Sequence, residues 1–98
     1  MENLNLETFA RHLNSKFLIK LEQAGIVIEV ELIEALDNGS APGQERFSIT
    51  FRGPLDAPLP QAMYRFEHAE LEAFDLFIVP IKQDQDGRYY EAVFARMT

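Results

Sequence analysis

With 98 residues, 47% of them apolar and none of them cysteine, the chain is sized for one domain with one modest core. It excludes a disulfide framework, a thiolate metal centre and a cysteine nucleophile. A net charge of −7, drawn mostly from the first 45 residues, where eight acids face three bases, opposes phosphate backbones and anionic lipid, so neither nucleic acid nor a membrane is an expected partner.

In chain order, Leu6, Phe9, Ala10 and Leu13 share one helical face and predict a short helix over residues 6–13. Asn5 is placed to cap it, and Leu4 and Phe9 fit a hydrophobic staple. The period then changes to two. Phe17, Ile19 and Leu21 alternate with Lys16, Leu18 and Lys20; after a turn at Gly25, Ile26, Ile28, Val30 and Leu32 alternate with Val27, Glu29, Glu31 and Ile33. Two half-buried strands explain this pattern. Residues 37–44 are rich in Asp, Asn, Gly, Ser and Pro and form a loop. Residues 46–52 give a third strand with Phe47, Ile49 and Phe51 on one face, ended by Gly53-Pro54; residues 61–68 give a fourth, with Ala62, Tyr64 and Phe66 opposed to Met63, Arg65 and Glu67. Residues 68–73 read as a helical turn or a loop. Residues 74–81 are apolar on both faces, which predicts a central strand covered on each side. Asp86-Gly87 marks a hairpin before a last strand over residues 89–96.

The expected fold is α+β and mostly β: a small six-stranded antiparallel barrel or strongly twisted sheet with one short N-terminal helix, filling residues 1–98 as a single domain. Consecutive strands joined by short loops favour antiparallel pairing, and closure removes exposed edges. The helix is expected to plug an open end or cover one face. The apolar run at residues 74–81 is far short of the ~20 residues that a membrane-spanning helix needs. Met1-Glu2-Asn3-Leu4-Asn5 lacks the basic start and apolar core of a signal peptide. A soluble, cytoplasmic protein is therefore expected.

Several stretches together carry a resemblance: Leu6-x-x-Phe9 with Leu13 and Phe17; Phe47-x-x-x-Phe51-x-Gly53-Pro54; Leu59-x-Gln61-x-x-Tyr64-x-x-x-His68; Phe74-x-x-Phe77-Ile78-Val79-Pro80-Ile81; and Tyr90-Glu91-Ala92-Val93-Phe94. Over about residues 6–94 the chain resembles a family of short bacterial proteins described only as a domain of unknown function. Members sometimes occur near genes for phage-tail-like proteins, so the resemblance implies an assembly or accessory role and brings no catalytic residues. The family pattern often has Gly ahead of the last aromatic before the strand, where this chain has Glu72-Ala73, so a different turn is expected there.

Candidate chemistry is sparse. His68 stands among Glu67, Glu70 and Glu72, which suits a general acid or base or an imidazole–carboxylate metal site. Strand alternation, however, points Glu67 and His68 to opposite faces. His12 reads as a solvated helix-face residue that only the fold could bring to His68; with two His and no Cys, no metal and no other cofactor is expected. Asp84-x-Asp86-Gly87 imitates the start of a calcium loop, but Tyr89 and Ala95 stand where Gly and Glu are required. Glu29, Glu31 and Glu34 read as a solvent face. Ser15, Ser40 and Ser48 lie in no nucleophile elbow, and no phosphate-binding glycine loop is present.

The remaining signal is an excess of apolar residues on outward positions. Met63, Arg65, Phe77, Tyr89 and Val93 form the expected interface of a non-enzymatic protein-interaction or assembly module, which self-associates or docks on a larger complex. A barrel binding a small apolar ligand among Phe47, Phe51, Tyr64, Phe66, Tyr90 and Phe94 is the second reading. A hydrolase using His68 and nearby carboxylates is the third.

Overall fold

The computed structural model describes residues 4–97. A helix α1 (Leu6–Arg11) precedes six strands: β1 (Lys16–Leu21), β2 (Ile26–Asp37), β3 (Gln44–Gly53), β4 (Ala62–His68), β5 (Leu71–Asp84) and β6 (Gly87–Met97). Every pairing is antiparallel. The order β1-β2-β3-β6-β5-β4 returns to β1, so the sheet closes into a ring, as the strand pattern and short loops predict. The ring is two three-stranded meanders, β1–β3 and β4–β6, laid edge to edge. One seam runs the length of β3, from Gln44 opposite Met97 to Gly53 opposite Arg88. The other is short, with Leu18, Ile19 and Lys20 opposite Glu67, Phe66 and Arg65.

Alternation along each strand explains the core. Phe17 and Ile19, Ile28, Val30 and Leu32, Phe47, Ile49 and Phe51, Phe66, Leu76 and Ile78, and Tyr90 and Ala92 all turn inward and are buried. Each large apolar side chain so buried contributes roughly 1.5–3 kcal/mol, so the shared interior, more than local propensity, holds the strands. Phe9 is fully buried and sets its ring 6.2, 6.1 and 5.7 Å from those of Phe47, Phe74 and Phe94. Those partners come from β3, β5 and β6, so α1 plugs one end of the ring. Asn5 caps the helix, its Oδ1 accepting from the Thr8 amide and hydroxyl.

Four expectations need correction. The helix stops at Arg11, two residues early, because Asn14 takes a positive φ of 67° and its amide donates to the Leu32 carbonyl, pulling the chain onto β2. Residues 68–73 are neither helix nor open loop: only residues 69–70 turn between β4 and β5. β5 is covered on its inner face alone, since α1 sits at the end of the ring and leaves Phe77 and Ile81 exposed outside. The last hairpin turns at Gln85 and Asp86, one residue before the predicted pair. Gly87 instead opens β6 at φ 157°, where a Cβ would lie 2.5 Å from the Gly53 carbonyl oxygen. Only glycine fits so close an approach.

Among the described residues no helix is long and apolar enough to cross a membrane. The reading of a missing signal peptide rests in part on Met1-Glu2-Asn3, which lie outside the described residues.

Candidate functional site

Residues opposite one another in an antiparallel pair share a face, so the register maps the outer wall. Leu36 on β2 faces Ser48 on β3, which faces Val93 on β6. Below this row Glu34, Thr50, Glu91 and Val79 follow in line across β2, β3, β6 and β5. Phe77 and Val93 each lie two residues beyond the Val79–Glu91 pair, and Phe77 is directly opposite Met63 on β4. Leu36, Val93, Phe77 and Met63 are 48, 66, 46 and 61% exposed. They form an apolar band on the outer wall.

Arg65 and Asp75 are the next outward pair past Met63 and Phe77, and their side chains form a 2.8 Å ion pair. Glu34 and Glu91 make no ion pair among the described residues. The band is bordered by Glu34 and Glu91, by the Arg65–Asp75 pair, and by the exposed Arg46, which lies opposite Ala95 in the row past Ser48 and Val93. Four of the five residues named from sequence, Met63, Arg65, Phe77 and Val93, are exposed on this wall. Tyr89 is not available: it is only 7% exposed. Its hydroxyl donates to Asp84, the Lys82 ammonium lies 4.8 Å from its ring centre, and Arg52 is its partner across β3. Leu36 was missed because the β2 pattern shifts phase at a bulge between Leu32 and Glu34.

A second cluster lies where α1 meets the β4–β5 turn. His12 caps the helix, and its ring centre is 4.6 Å from that of His68 at the end of β4. His12 is mostly covered, a correction to its reading as a solvated helix-face residue. Its Nδ1 lies 3.7 Å from Glu70 Oε1. His68 rests 4.5 Å from the Phe17 ring. Glu67 turns to the other face and pairs with Lys20 at 3.2 Å, as alternation predicts.

The hydrogen bonds define the His68 tautomer. The Glu70 amide donates to His68 Nδ1 at 3.0 Å, so that nitrogen carries the lone pair. Nε2 therefore carries the proton and donates to Ser15 Oγ at 3.0 Å, while Ser15 Oγ donates onward to the His12 carbonyl. A general base acting on Ser15 needs the opposite arrangement, a bare Nε2. The Ser15–His68 pair thus orients two segments without activating the hydroxyl. Burial, and secondarily the neighbouring His12, holds the His68 pKa below its ordinary value, against an opposing pull from Glu70.

Other candidates find structural partners. Glu31 is shared between Lys16 at 3.4 Å and Arg52 at 3.0 Å. Asp84 accepts from the Asp86 amide at the hairpin tip. Aromatic packing fills the interior, with Phe47–Phe94 stacked at 4.4 Å and Phe51–Phe66 tilted at 4.9 Å between ring centres.

These features define a small closed antiparallel β-ring plugged by one helix, with an apolar outer band. The chain belongs to the family described as Domain of unknown function (DUF6916), whose model matches residues 4–94. No curated protein and no solved structure matches it.

Proposed function

We propose that this protein is a non-enzymatic docking module that uses the outer wall of β4, β5 and β6 to bind a protein segment with apolar anchors flanked by Lys or Arg. The observation that carries this reading is the exposed Met63–Phe77 pair, extended by Val93 and Leu36. Large side chains facing water over contiguous strands mark interaction surfaces, and Met and Phe are enriched in such interfaces. The chain's charge of −7 favours a basic partner over a second copy, which would bring the same net charge to the contact. An accessory place on a larger assembly, such as the phage-tail-like one implied by the resemblance, is the biological form of this reading.

The test is capture from native lysate with the wild type and with a Phe77→Ser/Val93→Ser variant of unchanged circular dichroism, alongside light scattering of the bait alone. A basic protein recovered in fixed ratio by the wild type, released by raised salt and lost with the variant supports the proposal. A monomeric bait that retains nothing selectively overturns it, and a stable homodimer sensitive to the same variant replaces the basic partner with a second copy. The apolar-ligand reading gains no support, because aromatic rings occupy the space such a ligand would need.

A further inference from the structure

We propose that His12, His68 and Glu70 form a three-ligand site for a divalent transition metal of the zinc class, which staples α1 to the β4–β5 hairpin. One donor atom from each of the three lies within 4.8 Å of the others. Bonds of 2.0–2.1 Å in tetrahedral geometry place ligand atoms about 3.4 Å apart. The 3.7 Å from His12 Nδ1 to Glu70 Oε1 is already close to that spacing, and Glu70, on the exposed turn, is free to approach either imidazole. Two imidazoles and one carboxylate suit zinc and its neighbours; calcium and magnesium favour sites built from oxygen.

The local hydrogen bonds prepare the site. The tautomer of His68 leaves its lone pair on Nδ1, where the Glu70 amide now donates. A cation taken there displaces that single donor, which sits on the exposed turn and can turn to water. Nε2–H keeps its bond to Ser15, which is anchored on the His12 carbonyl. A ligand histidine commonly donates its second ring nitrogen to such a partner, which fixes the ring's orientation. The three ligands come from the helix cap, the end of β4 and the turn after it, so the ion ties segments far apart in sequence. A fourth position is left for water or a group from elsewhere.

Chelator-treated protein titrated with Zn2+ alone, by calorimetry and thermal melting, tests the proposal, with Co2+ absorption reporting coordination. One ion per chain is expected, with a raised melting temperature and a tetrahedral-type Co2+ spectrum that Zn2+ abolishes. His12→Ala and the surface change Glu70→Gln each weaken binding at least ~10-fold, and Ser15→Ala weakens it by about 10-fold through loss of the orienting bond. Glu67→Gln, on the opposite face, leaves binding unchanged. Absence of a Zn2+-dependent shift in the wild type overturns the proposal, as does a shift as large as the wild type's in both the His12→Ala and Glu70→Gln proteins.

Discussion

Tyr89 lies on the outer side of the wall yet is covered, because Arg52 and Lys82 flank it and Asp84 accepts its hydroxyl. Alternation alone assigned it to solvent; long neighbouring side chains, whose stems cover apolar surface while their charges stay wet, decided otherwise. Asp84 organises this corner. The Asp86 amide first, and the Tyr89 hydroxyl after it, hold its pKa below the usual 3.8, with Lys82 adding a favourable charge. A carboxylate whose folded pKa is depressed contributes stability above its unfolded pKa and loses it as pH falls through the folded value. We therefore expect urea midpoints to fall with acid below about pH 4 and the slope there to be shallower in Asp84→Asn. Near neutrality the two midpoints should run parallel in pH, separated by a constant offset. An identical acid slope would remove Asp84 from this account.

Elements show where periodicity stops being a guide. The strands of this protein were legible because Phe, Ile and Val recur every second residue, and the ring followed from their number and short connections. The bulges were not. At Leu32/Glu34 an extra residue on β2 turns Leu36 outward into the apolar band; at Pro80/Lys82 an extra residue on β5 turns Lys82 over Tyr89. A one-residue slip reverses every later side chain; Pro80 is a residue that strands admit at bulges, but nothing in local composition announces the slip after Leu32. The meeting of His12 with His68 was equally illegible, since it depends on where the plug seats. For α1 the apolar spacing did name Phe9 as core. Phe9→Ala should cost about 3–5 kcal/mol, read as a lowered denaturant midpoint, whereas Leu13→Ala, outside the helix and partly exposed, should cost far less. Equal losses would mean that the helix does not act as a plug.

For the molecule as a whole, the two meanders are the natural units. Each has only one wall of the interior, and Phe9 from the first half completes the aromatic cluster of Phe74 and Phe94 in the second. A chain divided within the 54–61 connection should regain the native fold only when both pieces are present. Circular dichroism and size-exclusion chromatography should show a 1:1 complex from the mixture and unfolded or aggregated material from either piece alone. A well-folded monomer from one piece would show that the meanders are independent.

The long seam between β3 and β6 also bears on how the protein is made. During translation the whole first meander emerges before the strand that will cover β3, and at ~5–20 residues per second it waits for seconds with unpaired backbone groups along that edge. Exposed edges invite pairing with neighbouring nascent chains. The eight acids within the first 45 residues lie on the half that must wait. Like net charge on two such halves opposes that pairing.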